Sequence, residues 1–267
     1  MDNKPNPQEV FVTVLNTDNY LPGVLVLEKS IRDLCSHQLF VLASQGLNES
    51  TYKALNSRGI SYGFADDIPV DPTLFDNVKT EFSHWKKTLF KMRIFELTQY
   101  DKIVFIDSDI ILLEPVDDLF DWPDMSATIA GRSYPGNESW STLNSGVMVI
   151  IPRENFVDYL VDLVPVVAAK KPSFGDQDVL SEYFAGWEND EPRHIPEANN
   201  VFFDHYQFYL KHGGVKALHF IGARKPWMMK WRDLAVHFLR CIIKGNTKGV
   251  DMLKHYRRYL RRVYADG

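Results

Sequence analysis

The stretch DKIVFIDSDIILLEP, residues 101–115, decides how the rest of the chain is read. Residues 102–106 form an apolar, β-forming run of the kind that makes a buried strand. The run stops at Asp107-Ser108-Asp109, and apolar residues resume at Ile110. Two carboxylates are therefore held at the edge of a core. In an extended chain, residues two apart face the same side, so Asp107 and Asp109 are expected to converge. Convergent carboxylates repel each other. A divalent cation that prefers hard oxygen ligands, magnesium or manganese, relieves that repulsion. Ligands of open α/β sheets bind beyond the carboxyl ends of the strands, where this pair would lie. The reading is a metal–diphosphate site. The alternative is an acidic turn that closes a strand, with Asp109 as a cap.

Upstream, short apolar runs alternate with helical patterns. Residues 10–15, 39–43 and 60–64 read as strands. Residues 22–34, opened by Pro22, and 48–57 read as helices. That alternation predicts a parallel α/β sheet. Residues 1–8 read as a disordered polar leader and 69–80 as irregular. Residues 85–97 have helical spacing, with Trp85, Leu89, Met92 and Phe95 on one face. Downstream, 117–121 reads as a short helical element, 126–130 and 147–151 as strands, and 154–169 as an amphipathic helix. A further helix is expected over 179–184. Asp176 stands just before it, where a helix cap is the ordinary role for an acid. Residues 217–221 read as a last strand, GARKPW (222–227) as a basic loop, and 231–265 as two helices parted near 245–248.

The chain has 267 residues and is 45% hydrophobic, enough for a sizeable core. A net charge of −5 gives no reason to expect nucleic-acid binding. Cys35 and Cys241 are too few and too far apart for a disulfide framework or a zinc site. The opening MDNKPNPQEV has no apolar stretch of a signal peptide, and no apolar run is long enough to span a membrane. A cytoplasmic protein is expected.

Four pieces occur together: LTQYDKIVFIDSDIILLEPVDDLFD (97–121), LNSGVMVI (143–150), GDQDVL (175–180) and HFIGARKPW (219–227). In this order and spacing they resemble glycosyltransferase family 8, in its glycogenin branch. FVTVLNTDNYLPGVLVLEKSI (11–31) is similar to that branch's first strand, nucleotide loop and helix, so the resemblance runs from Phe11 to Trp227. It implies an α/β GT-A glycosyltransferase fold: a Rossmann-like mixed sheet flanked by helices, with C-terminal helices. It also implies a single catalytic domain over residues 1–267, with 231–265 as a helical appendage.

The resemblance carries roles residue by residue. Asp107, Asp109 and His219 match metal ligands, for manganese or else magnesium; the ordinary alternative for His219 is a satisfied core histidine. Ser108 lies between the acids. Gly222 and Lys225 match the loop that holds the diphosphate of a UDP-sugar donor. Val14, Asn16, Thr17 and Tyr20 match positions around uracil and ribose, with Tyr20 as stacking group or core aromatic. Lys91 matches a basic residue near diphosphate and sugar, or is a solvated helix lysine. Asn144, Asp176 and Gln177 match residues around the transferred sugar, and Asp176, Gln177 and Lys91 are the catalytic candidates. An arginine that the branch carries upstream of Lys91 has no evident counterpart; His84 or Lys79 could replace it.

The implied activity is retaining transfer of galactose or glucose from UDP-galactose or UDP-glucose. Members of the branch that glucosylate themselves carry the modified tyrosine upstream of the position of His219. Counting back without gaps puts that tyrosine at Phe202, and Asp204 stands where a second tyrosine would be. Tyr206 and Tyr209 are close enough for a local shift to substitute. The long linker and tail of the branch have no counterpart here. A separate acceptor is therefore expected, the glycan of a cytosolic glycoprotein. A protist subgroup of this kind adds α-galactose to the glycan of a ubiquitin-ligase adaptor. The competing readings are a self-glucosylating primer of glycogen and an inactive nucleotide-sugar-binding protein. The basic cluster Lys254, Arg257, Arg258, Arg261 and Arg262 lies on an amphipathic helix. That helix either docks on the core with a solvated face or meets an acidic acceptor, a homodimer partner or an anionic membrane surface.

Overall fold

Near-continuous apolar strands imply a sheet covered on both faces, and the chain builds one. The computed structural model describes residues 8–75, 80–171, 173–222, 225–243 and 247–265. Strands β1 (Glu9–Leu15), β2 (Leu39–Ser44), β3 (Ser61–Ala65) and β4 (Lys102–Ile106) pair in parallel. Helices α1 (Leu21–Leu34) and α2 (Glu49–Asn56) make the first two crossovers. Then the direction changes. Strand β7 (Asn144–Ile150) runs antiparallel to β4, with Ile106 opposite Val147. Strand β6 (Ser126–Thr128) runs antiparallel to β7. The order β3-β2-β1-β4-β7-β6 is a mixed six-stranded sheet.

Alternation along the strands divides two cores, as a pleated strand requires. Phe11, Val41, Val104 and Val149 enter one, and Val12, Phe40, Phe105 and Met148 enter the other. Helices α3 (Phe156–Lys170) and α4 (Asp176–Tyr183) cover the second face with Leu160, Val164 and Val179. A 3-10 stretch, Thr80–Glu96, packs there too, contributing Leu89, Phe90, Met92 and Phe95. The sequence led us to expect ordinary helical spacing here. The tighter winding matches burial almost all round, since Lys91 and Ile94 are enclosed as well.

A second, small sheet decides the site. It has the order β5-β9-β8, from β5 (Ile110–Leu112), β8 (Val201–Phe202) and β9 (Ala217–His219). Asp107 and Asp109 thus lie where the chain leaves the large sheet for the small one. They are not in an extended segment, as alternation had suggested. Ile110 N donates to Asp107 O at 3.0 Å and closes a turn. Neither β8 nor helix α5 (Tyr206–His212) was expected from sequence, because their apolar runs are too short to show a period. Helix α4 begins at Asp176, earlier than the 179 predicted, and β9 ends at His219 rather than 221. The expected strand at 126–130 is only Ser126–Thr128.

Helices α6 (Trp231–Ile243) and α7 (Thr247–Ala265) follow. On α7, Leu253 and Tyr256 are fully buried in the first core, while Lys254, Arg258, Arg261 and Arg262 are exposed. The docked-helix alternative therefore describes α7. Among the described residues no helix is long and apolar enough to cross a membrane. Residues 1–7, most of the expected irregular stretch after Phe75, Lys79, and the 244–246 break fall outside the described residues, as do the side chains of His84 and Trp85.

Candidate active site

Strand pairing gathers the acids and the histidine. Ile110 is the register partner of His219, and Phe220 N donates to Asp109 O at 3.0 Å. His219 Nε2 consequently lies 3.2 Å from Asp109 Oδ1 and 3.9 Å from Asp107 Oδ2. One ligand atom from each of the three residues falls within 4.8 Å of the others.

His219 Nδ1 meets Asn200 Oδ1 at 2.8 Å. The Asn200 amide is oriented by its own donors, which reach Asn144 Oδ1 at 2.7 Å and Thr128 Oγ1 at 3.2 Å. Its oxygen must then accept from Nδ1–H, so Nδ1 carries a proton and Nε2 is the nitrogen turned toward the acids. Nε2 facing two carboxylates needs a proton or a cation between them. Two carboxylates and one imidazole are a donor set that fits manganese or magnesium.

Each acid is matched by a buried lysine. Lys91 Nζ lies 3.0 Å from Asp107 Oδ1 and 3.0 Å from Asp176 Oδ2, and it donates to Ser145 Oγ at 3.1 Å. Lys225 Nζ lies 2.5 Å from Asp109 Oδ2 and donates to Phe220 O at 3.0 Å. Burial works to lower the Lys91 ammonium, but Asp107 and Asp176 outweigh it and raise it well above the usual lysine range. Burial raises the Asp107 carboxyl. Burial also acts upward on Asp109, yet His219 and Lys225 hold it well below the usual carboxylate range. Two neighbouring acids are thus pushed apart by their surroundings, a pattern common at functional sites. Lys91 is not a solvated helix lysine.

Asp176 opens α4, but it does not cap it. That role falls to Asp178, whose Oδ2 accepts from Gly175 N at 3.0 Å. Asp176 is instead buried, holding Lys91 and accepting from Ser145 Oγ at 2.7 Å. Gln177 Oε1 accepts from Asn144 Nδ2 at 3.2 Å. A chain of amides therefore runs from His219 through Asn200 and Asn144 to Gln177.

The nucleotide-side candidates follow β1. Val14 and Asn16 are half-buried at its end, and Asn16 Nδ2 donates to Lys87 O at 2.6 Å. Thr17 precedes the 3-10 turn Asp18–Tyr20. Tyr20 packs edge-on to Trp227 at 5.7 Å, and burial raises its phenol. Trp227 Nε1 donates to Asn19 O at 2.8 Å, and the indole lies 6.1 Å from the Tyr256 ring of α7. The last helix thereby braces the turn that carries Tyr20. Gly222 is exposed at φ 95, and its neighbours Ala223 and Arg224 lie outside the described residues.

Sequence reasoning missed three residues that shape this site. Asn200 is one. The others are glycines that permit close approach. A Cβ on Gly23 would lie 2.4 Å from Ser108 O, so α1 could not approach the acidic turn, where Ser108 is buried. A Cβ on Gly146 would lie 2.7 Å from His219 Cε1. Both stand inside motifs the sequence displayed, but only the fold shows what they touch.

The sequence profile of Glycosyl transferase family 8 matches residues 11–230. The chain belongs to that family. Mouse glycogenin-1 is 31% identical to it over 234 residues, covering 82% of this chain and 65% of that protein. UDP-glucuronate:xylan alpha-glucuronosyltransferase 2 of Arabidopsis thaliana is 30% identical over 243 residues, covering 87% of this chain and 37% of that protein. The chain thus spans less than two thirds of the length of these relatives. The galactosyltransferase LgtC, solved with donor and acceptor sugar analogues, superposes with a TM-score of 0.62 at 19% identity, over 89% of this chain and 96% of that one. The protein is a glycogenin-like family 8 member with the GT-A glycosyltransferase fold.

Proposed function

We propose that this family 8 glycosyltransferase is a metal-dependent, retaining hexosyltransferase that moves galactose or glucose from a UDP-sugar to a separate glycan acceptor. The observation that carries the reading is the cluster Asp107, Asp109 and His219, with its ligand atoms within 4.8 Å and a histidine turned by Asn200. Its chemistry fits the site. The bond from C1 to the diphosphate breaks with its electron pair leaving on the phosphate oxygen. The acceptor oxygen forms the new bond to C1 and gives up its proton to the departing phosphate oxygen. The sugar passes through an oxocarbenium-like state. When bound, manganese or magnesium would act as a Lewis acid toward the diphosphate. Lys225 supplies a fixed positive charge where negative charge develops. Gly222 lets backbone come close to phosphate. Val14, Asn16 and Thr17 border the uridine, and Tyr20 stacks on it.

Asp176, Gln177 and Asn144 hold the sugar's hydroxyls, with Gln177 offering its amide N–H groups. Lys91 fixes Asp107 and Asp176 relative to each other. We read residues 1–267 as one catalytic unit, with 231–265 an appendage that α7 ties to the first core through Leu253 and Tyr256. We place the enzyme in the cytoplasm, where the free thiol of Cys35 stays reduced. A glycan on a cytosolic glycoprotein, as for the α-galactosyltransferases that extend a ubiquitin-ligase adaptor, is the acceptor this reading favours.

The test is a panel of UDP-sugars incubated with manganese and assayed for UDP release, since hydrolysis needs no acceptor. Release from UDP-galactose or UDP-glucose, abolished by chelator, is expected. No release from any donor, or an undiminished rate in chelator, would overturn the proposal.

A further inference from the structure

We infer that Trp140, backed by Phe202, forms a stacking wall for the acceptor, and that the acceptor group bound there is a pyranose ring. The inference rests on the transferase reading above and names the substrate class of that same site.

The wall starts at the candidate metal cluster. Phe202 is the register partner of His219 across β8 and β9, and the two rings lie 5.8 Å apart, edge to face. Trp140 comes next, its ring 6.3 Å from Phe202. Phe202 is 6% exposed, whereas Trp140 is 43% exposed. An open indole next to the ring that contacts His219 presents an aromatic face beside the candidate site.

Trp140 is held in place. Gly131, at φ 84, brings the backbone so near the indole that a Cβ there would lie 3.1 Å from Trp140 Cζ3. Trp140 N donates to Asn137 O at 2.8 Å, and Asn137 Nδ2 donates to Gly131 O at 3.0 Å. Farther along the same loop, Ser133 Oγ donates to Glu197 Oε1 at 2.6 Å and Tyr134 stacks on His205 at 3.8 Å. A fixed aromatic face loses little conformational entropy on binding.

The chemistry of the wall selects its ligand. Trp140, backed by the buried Phe202, offers a flat apolar face, which suits the C–H face of a pyranose ring. Ser139, Ser141 and Thr142 neighbour Trp140 in the chain and are exposed, so the loop also offers hydroxyl groups. The loop's charged side chains are Arg132 and Glu138, one of each sign. Such a balance gives no pull toward a strongly acidic or basic peptide. Aromatic faces with small hydroxyls beside them recognise sugars.

Two independent measurements test this. The first uses methyl hexopyranosides and methyl pentopyranosides as acceptors, with the donor that the hydrolysis panel selects. Trp140→Ala should raise the acceptor KM about tenfold, the scale of one lost aromatic contact. Trp140→Phe should raise it less, and both should change KM more than kcat. The second follows intrinsic fluorescence of the full chain with UDP and manganese as methyl glycoside is added. A quench is expected in wild type and should be missing in Trp140→Phe. An acceptor KM unaltered in Trp140→Ala, or a quench retained in Trp140→Phe, overturns the wall. If no donor releases UDP, the transferase reading fails, and the fluorescence titration still decides whether a sugar ring binds Trp140. Tyrosyl peptides accepting sugar with a KM independent of Trp140 would also overturn the inference.

Discussion

Asn200 Oδ1 accepts a hydrogen bond from His219 Nδ1–H at 2.8 Å, and this one contact sets which nitrogen of the ring faces Asp107 and Asp109. Asn200 is itself fully buried and oriented by Asn144 and Thr128. Outer-shell partners of this kind change metal affinity about 10- to 100-fold when removed. Asn200→Leu should therefore weaken manganese binding by that factor. Asn200→Asp keeps an oxygen for Nδ1 and should retain most of the affinity. Titration calorimetry of manganese into the UDP-saturated protein measures both. Equal affinity in wild type and Asn200→Leu would show that the contact does not orient a ligand.

Asp109 uses both carboxylate oxygens, one toward His219 and one toward Lys225. Asp109→Asn preserves shape and removes the charge. We expect UDP-sugar turnover to drop at least about a hundredfold, as when a group that stabilises developing charge is lost. Steady-state UDP release with saturating manganese is the assay. Turnover within a few-fold of wild type would remove Asp109 from the metal site.

Lys91 separates Asp107 from Asp176, and all three side chains are largely enclosed. Removing the ammonium leaves two buried carboxylates facing each other without a cation. Breaking a buried ion pair by deleting one partner costs about 3–5 kcal/mol. Lys91→Met should lose stability on that scale in urea unfolding. Adding Asp176→Asn removes one of the stranded charges and should recover part of the loss. If the double variant is less stable than the single one, repulsion between the acids is not the cause.

How legible this was in the sequence depended on what each residue touches. The strand before Asp107 and the alternation into two cores follow from local apolar pattern, so they could be read directly. The convergence of the two acids was expected for an incomplete reason: a turn and a change of sheet produce it, with β9 bringing His219 alongside. Asp176 looked like a helix cap because local sequence cannot distinguish it from Asp178, two residues on. Asn200 gave no signal at all. It is the second of two adjacent asparagines in a loop, and its meaning comes from β8 pairing with β9, a contact made by two-residue and three-residue strands that no periodicity announces. Gly23 and Gly146 were visible as letters inside motifs, but the atoms they make room for, Ser108 O and the His219 ring, arrive from elsewhere in the chain.

The last prediction concerns self-modification. Phe202, the position where counting from His219 places the modified tyrosine of self-glucosylating relatives, lies beside the cluster and has no hydroxyl to attack C1. The two tyrosines that a shift in register could supply are turned away from that role. Tyr206 is 7% exposed and Tyr209 is 3% exposed, and both pack in the first core. The Tyr209 hydroxyl donates to Glu197. Burial, followed by that contact with Glu197, raises the Tyr209 phenol well above its usual range, which makes a phenolate harder to form. Purified protein incubated with manganese and either UDP-glucose or UDP-galactose should accordingly keep its intact mass, while UDP release proceeds. Mass spectrometry reads this in one experiment. A ladder of hexose additions that disappears in Tyr206→Phe or Tyr209→Phe would require helix α5 to unfold during turnover, and it would replace the separate-acceptor reading with a self-glucosylating one.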